Sequence, residues 1–286
     1  MKNKIRKSIR NIIGARENET IENALDRKLT KIQKIIYKRS FSKDELRTAL
    51  HKVGVNEGTV LMVHCSWRKF YNFEGKPEDV IELLKELIGD SGTLLMPSYG
   101  SDLSYFDVNN TVSDAGVLSE VFRVMPSTLR GQTSHFAICG YGTKVHEILD
   151  DNINSRYGFD EKSAYYKFSQ LPNAKVLFLG LGKEPTKISL FHCANYQLKN
   201  SNEYIGNIIT HKYSAKLVIG NDILKKEMIT RTKSTKNNKR VFKKILRSMS
   251  NRKYEKISNI EVVCIDAKEG IEKTIEFANK GIYCYK

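Results

Sequence analysis

The stretch TVLMVH, residues 59–64, decides the fold, because it is short, apolar and rich in β-branched side chains. Strands of this kind are buried on both faces, as in a parallel sheet. The segments on either side predict helices. Before it, Ser42 and Glu45 stand in the register of a helix capping box, and after it Pro77 opens a second stretch of helical periodicity. The order helix, strand, helix indicates a layered α/β domain.

This alternation continues along the chain. Further strands are predicted at TLLMP, HFAICGYG and AKVLFLGLG, with helices at AGVLSEVFRVM and TKVHEIL. Two last strands, near AKLVIG and IEVVCIDA, flank a basic insert at about residues 225–256. Because the working loops of such sheets lie at strand ends, functional residues are expected there. We divide the chain into a basic helical extension, residues 1–40, and one domain, residues 41–286.

The net charge of +16 is concentrated in two segments. Residues 1–40 hold 12 Lys and Arg against 4 Asp and Glu, residues 225–256 hold 13 against 2, and the remainder carries −3. This distribution indicates appended basic surfaces and not a basic groove through the core. Neither segment interleaves aromatic residues among its charges or carries a nucleic-acid-binding signature, so we expect no nucleic-acid partner.

Apolar residues of the N-terminal extension recur at helical spacing among lysines and arginines: Ile5, Ile9, Ile12 and Ile13, then Leu25, Leu29, Ile32 and Ile36. This pattern fits a helix resting on an anionic membrane surface. It fits equally well a solvated helix docked on its own domain, and the sequence leaves both interpretations open.

Neither a membrane span nor a secretory leader is expected. No apolar run approaches the roughly 20 residues needed to cross a bilayer, and the first residues have no apolar core before a cleavage site. The five cysteines are widely spread without a CxxC pair, so neither a disulfide framework nor a cysteine zinc site is predicted. We expect a cytoplasmic protein with reduced thiols and no bound metal, either free or peripheral to the inner face of the membrane.

Seven blocks from about Ser42 to Tyr196 together resemble the aminoglycoside 3-N-acetyltransferase family, also called the antibiotic acetyltransferase family. In chain order they are LMVHCSWRKF, GDSGTLLMPSY, FDVNNTVSDAGVLSEVFRVMP, SHFAICGYG, YGFDEKSAYYKF, VLFLGLG and SLFHCANY. The resemblance fades in the C-terminal third. It implies an α/β fold with a central mixed sheet flanked by helices. It also implies transfer of an acetyl or other acyl group from coenzyme A to an amine.

The resemblance implies cofactor-binding residues at strand ends. The family's motif of a histidine followed by two small hydroxyl residues falls on His64, Cys65 and Ser66, with cysteine in place of the first serine. Its Gly-Thr-Leu-x-x-Pro block ends at Pro97, and its Gly-x-Gly turn ends at Gly182.

A substrate-binding role is implied for Glu120 and Arg123, which belong to the family's Gly-…-Glu-x-Phe-Arg helix. Three residues apart, they share one helical face. They therefore also fit a structural ion pair, and the sequence does not decide between the two roles.

The catalytic candidates come from the block SLFHCANY, where the family's Thr-x-x-His-x-x-Glu helix falls on Ser189, His192 and Asn195. An attacking ammonium must lose a proton before its nitrogen adds to a thioester, so a neutral imidazole is a fitting general base. With Ser189 as N-cap, the positive end of the helix dipole keeps His192 neutral near pH 7. Asn195 replaces the family's glutamate, so it can orient the ring but brings no charge.

These residues predict a coenzyme A-dependent N-acyltransferase with acetyl-coenzyme A as donor and an amino sugar or aminoglycoside-like amine as acceptor. The change at Asn195 and the basic extension favour modification of a surface polysaccharide at least as much as antibiotic resistance. Two alternatives stay open: a catalytically degenerate member that binds coenzyme A or a partner, and a Cys-His-Asn amidase or thioesterase. The sequence names neither the acceptor nor the oligomeric state.

Overall fold

The computed structural model describes residues 10–17 and 19–286, and these residues form two sheets. Its strands are β1 (Val60–Cys65), β2 (Thr93–Pro97), β3 (Tyr105–Asp107), β4 (Leu129–Arg130), β5 (Ile138–Gly142), β6 (Ala174–Leu179), β7 (His211–Ile219), β8 (Asp222–Thr230), β9 (Lys253–Ile257) and β10 (Ile260–Asp266). The larger sheet has the order β4-β5-β2-β1-β6-β10-β9, and the smaller one has the order β3-β7-β8.

The predicted mixed sheet is confirmed. Strand β1 lies at its centre, parallel to β2 on one side and to β6 on the other. Strands β5 and β10 add to this parallel core in antiparallel orientation, followed at the edges by β4 and β9. The carboxyl ends of β1, β2 and β6 therefore meet at one edge of the sheet.

The helices lie around the larger sheet, most of them on its two faces and the first one at the ends of its strands. They are α1 (Ile21–Ile36), α2 (Lys43–Lys52), α3 (Pro77–Ile88), α4 (Val117–Val124), α5 (Val145–Leu149), α6 (Ala164–Gln170), α7 (Phe191–Leu198), α8 (Glu203–Gly206), α9 (Lys239–Ser248) and α10 (Ala267–Asn279). Helices α2, α3 and α4 cover one face, where Leu61, Val63 and Leu177 point. Helices α6, α7, α9 and α10 cover the other, where Met62 and Phe178 point. Because alternate residues of β1 enter different cores, the stretch is apolar throughout.

Local signals placed the first elements of the domain correctly. Ser42 Oγ accepts a hydrogen bond from the Glu45 amide at 3.3 Å, and Glu45 Oε2 accepts one from the Ser42 amide at 3.1 Å, so the capping box is present. Pro77 is the first residue of α3. These contacts join residues at most three positions apart, which is why the sequence predicts them.

The basic insert at residues 225–256 contains regular structure that the sequence analysis did not predict. It includes most of β8 and all of α9. Helix α9 buries Val241, Phe242, Ile245 and Leu246 against the sheet. Its lysines and arginines occupy the opposite face, so this part of the excess charge is the solvated side of a core helix.

The N-terminal extension contains α1, which docks beside the carboxyl ends of β1 and β6. Ile5 and Ile9 of the predicted apolar pattern lie outside the described residues. Within the described part of the chain, no helix combines the length and the apolar composition that a bilayer span requires.

Candidate functional site

A cavity of about 910 Å³ opens at the carboxyl ends of β1 and β6. Its walls include Cys65 and Ser66 after β1, the turn at residues 180–182 after β6, and Gly116 at the start of α4. Gly180 has φ +68°, and a Cβ there would lie 2.9 Å from Lys69 Cβ. Only glycine allows the two strand-end loops to approach this closely.

Helix α1 closes one side of this strand-end cavity. Leu25, Asp26, Leu29 and Gln33 line it. Lys69 Nζ, from the opposite wall, lies 2.9 Å from Asp26 Oδ1 and donates to Gln33 Oε1 at 3.1 Å. The N-terminal extension therefore contributes side chains to the cavity.

The charge of the cavity is predominantly positive. Arg68 and Lys69 both pair with Asp26. Lys187, Lys256 and Glu261 also line the cavity. Within the described residues no carboxylate forms an ion pair with either lysine, and Lys256 Nζ lies 5.2 Å from the centre of the Tyr37 ring. The lining therefore holds more cations than carboxylates, which favours an anionic ligand.

The predicted cofactor-binding residues separate into two groups. Cys65, Ser66 and Gly182 line the cavity. His64 does not: its ring points to the other face of the sheet and stacks on Phe178 at 5.4 Å. There its Nε2 is shielded and has no hydrogen-bond partner within the described structure, and burial lowers the pKa of the ring to about 4. Pro97 is buried at the end of β2, away from the cavity lining.

His192 lies in α7 under a tyrosine that the sequence analysis missed. Its Nδ1 is 2.9 Å from the hydroxyl of Tyr285, and the two rings stack at 5.5 Å. Phe159 contacts the imidazole edge-on at 5.0 Å. The ring is 4% exposed. Burial, with smaller contributions from Arg231 and His135, holds its pKa well below the ordinary value, so the ring is neutral near pH 7.

The expected partners of His192 are arranged differently. The prediction that Ser189 caps α7 is wrong: Leu190 occupies the N-cap position, and no side chain caps the helix. Ser189 lies in the preceding turn, where its carbonyl accepts from the His192 amide at 3.0 Å. Asn195 Nδ2 donates to the Phe191 carbonyl at 2.8 Å, one turn back along its own helix, so the amide does not orient the imidazole. Desolvation, and not the helix dipole, explains the neutral ring.

Glu120 and Arg123 form a bidentate ion pair. Arg123 Nε and Nη2 donate to the two carboxylate oxygens at 2.8 and 2.6 Å. The pair also holds a loop, since Arg123 donates to the Asn109 carbonyl and Glu120 accepts from the Ser113 amide. The arginine hydrogen bond holds the pKa of Glu120 below its usual range. Arg123 lines a second cavity of about 860 Å³, beside β4.

A second buried histidine accompanies His192. His135 is 2% exposed, and its Nδ1 accepts a hydrogen bond from the Gly158 amide at 2.9 Å. Burial, and secondarily Arg231, lowers its pKa to about 3. The Arg231 guanidinium stacks over the Tyr285 ring at 4.9 Å. Tyr285 and Arg231 lie beyond the seven sequence blocks, so no motif pointed to them.

The thiols of the chain are all free. Cys193 is buried, and burial raises its pKa well above the ordinary value. No hydrogen bond in the described structure joins His192 to Cys193 or Asn195, so the arrangement that a Cys-His-Asn amidase needs is absent from α7. The described residues contain no group of three His, Cys, Asp or Glu side chains that could hold a metal ion.

The mixed sheet and the strand-end cavity define an α/β protein with a cavity at the ends of its parallel strands. Its relatives identify the class more closely. A family model described as aminoglycoside 3-N-acetyltransferase matches residues 62–278, about three quarters of the chain. The chain therefore belongs to the aminoglycoside 3-N-acetyltransferase family, and the family predicted from the seven blocks is confirmed.

Individual relatives are more distant. The chain is 37% identical over 115 residues to aminoglycoside N(3)-acetyltransferase IV of Salmonella sp, an alignment that covers 39% of this chain and only 43% of that enzyme. Its fold matches a histidine-to-alanine variant of aminoglycoside acetyltransferase AAC(3)-IVa in complex with a gentamicin, with TM-score 0.70, 21% identity and coverage of 84% and 89% of the two chains. AAC-IIIb in a binary complex with CoASH matches with TM-score 0.70, 18% identity and coverage of 85% and 98%.

Proposed function

We propose that this protein transfers an acetyl group, or a closely related acyl group, from coenzyme A to an amine of an amino sugar or aminoglycoside-like compound. The observation that carries the proposal is the family match over residues 62–278, which includes His192 and the cavity walls formed after β1 and β6, but not the wall formed by α1. Enzymes of this kind work where acyl-coenzyme A is available, so we place the reaction in the cytoplasm, where free thiols such as these persist.

Coenzyme A is proposed to bind in the strand-end cavity, beside Cys65, Ser66 and Gly182. Three features support this assignment. The volume of about 910 Å³ falls within the range of about 300–1,000 Å³ that is typical of small-molecule sites. Lys187 and Lys256 offer positive charge to the phosphates. Helix α4 begins directly after Gly116, which lies in the cavity wall, and has no side-chain cap; such a helix N-terminus attracts anions.

His192 is the proposed general base. A phenol that burial keeps protonated can accept the Nδ1 proton of the imidazole, and the pKa of Tyr285 is raised by its burial. In that tautomer Nε2 is left to receive a proton. As the amine nitrogen bonds to the thioester carbonyl carbon, its proton passes to His192 Nε2. The C–S bond then breaks, and the leaving thiolate takes the proton from His192 Nε2, so the imidazole returns to its neutral form. Tyr285 acts as a positioning residue, in the role that Asn195 does not fill.

The reaction requires that the thioester of the donor reach the buried imidazole of His192. The ring is 4% exposed and does not line the strand-end cavity. Pro185, Thr186 and Lys187 in the cavity wall lead along the chain into α7, so the thioester end must approach the base past this loop. One buried polar atom without a partner, His64 Nε2, supports a polar ligand on that side of the sheet, because unpaired buried groups of this kind are rare.

The acceptor class is taken from the family, with the aminoglycoside complexes among the relatives in support. Glu120 and Arg123 have an indirect role in this proposal. The two side chains neutralise each other in an ion pair, and their hydrogen bonds to the backbone hold residues 109–113 beside the second cavity. We therefore assign them to shaping a substrate-binding loop and not to direct contact with the acceptor amine.

Release of the coenzyme A thiol, followed with a thiol-trapping dye across a panel of amino sugars and aminoglycosides, tests the proposal. His192→Ala should reduce turnover by roughly 10²- to 10⁴-fold, the usual contribution of a general base. His51→Ala is the matched control, because His51 is an exposed histidine on α2, and it should retain wild-type turnover.

Two results would contradict the proposal. A wild-type protein whose melting temperature rises with acetyl-coenzyme A but which acylates no amine is a catalytically degenerate family member. A His192→Ala variant with full turnover moves the base to another residue.

A further inference from the structure

Helix α1 contacts the rest of the molecule through polar side chains. Lys69 Nζ lies 2.9 Å from Asp26 Oδ1 and donates to Thr30 Oγ1 at 2.8 Å and to Gln33 Oε1 at 3.1 Å. Arg68 pairs with the other oxygen of Asp26 at 3.2 Å. With 3.6 residues per turn, these three helix positions share one face. The docked face of α1 is therefore polar.

The apolar face of α1 is turned to solvent. Leu25, Leu29, Ile32 and Ile36 are 43%, 55%, 53% and 68% exposed. On a regular helix the four positions fall within an arc of about 60°, centred about a quarter turn from the docked face. A surface helix of a globular domain normally buries such a stripe. This apolar stripe thus lacks a cover within the described part of the chain.

Charge indicates which partner covers the stripe. Lys28, Lys31 and Lys34 are exposed on the same helix, within a segment of net charge +8. The second basic segment contributes Lys256, which lines the same cavity as Leu25 and Leu29 of α1. A second copy of the chain would set these positive surfaces against each other, whereas an anionic lipid surface neutralises them.

The stripe also borders the site. Leu25 and Leu29 line the strand-end cavity together with Cys65 and Gly182, so the mouth of the cavity opens beside the apolar face of α1. A helix with lysines flanking an apolar stripe lies in the plane of a membrane interface. We infer that α1 rests in the headgroup region of an anionic bilayer, and that the acceptor amine is carried on a membrane-anchored saccharide. The second half of this inference rests on the proposed function.

Cosedimentation with lipid vesicles tests the membrane contact. The full chain should bind vesicles of phosphatidylcholine with phosphatidylglycerol, bind phosphatidylcholine alone far less, and dissociate as salt is added. Ile32→Asp/Ile36→Asp should weaken binding at least about tenfold, because two apolar side chains are lost from the interface. The matched control is Ile223→Asp/Leu224→Asp, which changes two exposed apolar residues of β8 and should bind as the wild type does.

Turnover measurements test the second part of the inference, that the acceptor amine is carried on a membrane-anchored saccharide. The wild type should acylate an amino sugar anchored in those vesicles at least about tenfold faster than the same sugar in solution, through its raised local concentration. Ile32→Asp/Ile36→Asp should lose this advantage and keep the solution rate, because neither residue lines the cavity.

Each other outcome overturns a stated part of the inference. Failure of the wild type to sediment with anionic vesicles removes the membrane contact. A dimer that Ile32→Asp/Ile36→Asp converts to a monomer in light scattering identifies a second copy as the cover of the stripe. Vesicle binding without preference for the anchored acceptor removes the acceptor class. Vesicle binding without turnover on any amine contradicts the proposed function while leaving the membrane contact in place.

Discussion

Two basic helices border the candidate site: α9 lies near His192, and α1 lies at the strand-end cavity. One of them buries its apolar face and the other exposes it. Helix α9 turns Val241, Phe242 and Leu246 into the core, where Phe242 lies 5.5 Å from Phe191 and 6.1 Å from the His192 ring. Helix α1 borders the strand-end cavity and leaves its apolar stripe in solvent. One pattern of lysines around apolar residues thus produces a core element in one place and an open surface in the other.

This difference shows that an amphipathic pattern predicts which face of a helix is apolar, but does not predict what packs against that face. Helix α9 falls between β8 and β9, so the chain carries it across the sheet beside α10. Helix α1 precedes the domain and docks beside strand ends, where Lys69 and Arg68 form a polar contact with it. We therefore read the charge of α9 as the solvated side of a structural helix and that of α1 as a binding surface.

The largest effect is expected from Phe242→Ala on α9. Phe242 is fully buried, so its truncation should lower the free energy of unfolding by about 3–5 kcal/mol, as cavity-forming aromatic substitutions do. Urea unfolding measures the change. Val112→Ala removes an exposed side chain and should have no measurable effect. A loss below about 1 kcal/mol for Phe242→Ala would mean that α9 does not carry part of the core.

Acid should destabilise the histidine cluster on the α9 side of the sheet. Burial lowers the pKa of His135 to about 3, whereas an unfolded histidine titrates near 6.5, so below pH 6.5 the unfolded state binds the proton more readily. Stability is complete above that pH and falls as the pH drops towards the folded pKa. At pH 5, His135 alone should lower the free energy of unfolding by about 2 kcal/mol. His64 and His192 should lower it further, because burial also lowers the pKa of each of these rings.

Urea midpoints at pH 8 and pH 5 measure this effect. The docked face of α1 contains no histidine, so its contacts provide an internal reference that should persist at pH 5. Equal stability at the two pH values would contradict this expectation, because it would mean that the buried rings of the folded protein take up protons at pH 5 as readily as those of the unfolded chain.

Tyr285→Phe should change chemistry more than stability. Without the phenol oxygen, the imidazolium of His192 loses an acceptor, so its pKa falls further and the acidic limb of the kcat/KM profile moves to lower pH. A neutral hydrogen bond of about 0.5–1.5 kcal/mol corresponds to a shift of about 0.4–1 pH unit. Turnover above the limb should fall as the base weakens. Tyr283→Phe is the matched control, since Tyr283 pairs with Asn202 instead. If the acidic limb of the profile stays at the same pH in Tyr285→Phe, the hydroxyl does not act on His192 and Tyr285 only packs against it.

The smallest effect is expected on the stripe of α1. Ile32→Ala/Ile36→Ala should change the free energy of unfolding by no more than about 0.5 kcal/mol, because both side chains are already exposed. Chemical denaturation without lipid is the measurement. A loss of about 2 kcal/mol or more would place the stripe against part of the chain and erase the contrast with α9.

The sequence predicted what depends on neighbouring residues. The parallel strands β1 and β6 bring Cys65, Ser66 and Gly182 to one edge, as expected from the alternation of strands and helices. The same two-residue period of β1 turns His64 away from Cys65, so the exclusion of His64 from the cavity was also readable in principle. Asn195 was misjudged because a competing carbonyl one helical turn back takes its amide.

The rest depends on how distant parts of the chain meet. The hydroxyl of Tyr285 reaches His192 across 93 residues, and no periodicity or spacing reports such a contact. The same holds for α1, whose docking depends on Lys69 from a loop far along the chain. Local patterns therefore determined the sheet, and tertiary contacts determined the environment of the base.

Isothermal titration calorimetry with acetyl-coenzyme A tests the central claim, that the strand-end cavity binds the donor while His192 acts on the proton. The wild type should release binding heat, and Lys187→Glu/Lys256→Glu should bind at least about tenfold more weakly, since charge-assisted hydrogen bonds contribute about 1.5–3 kcal/mol. His192→Ala should bind within about twofold of the wild type, as should the control Lys225→Glu/Lys233→Glu, which alters exposed lysines outside the cavity lining. Absence of binding by the wild type, or unchanged affinity in Lys187→Glu/Lys256→Glu with loss in His192→Ala, would contradict the account.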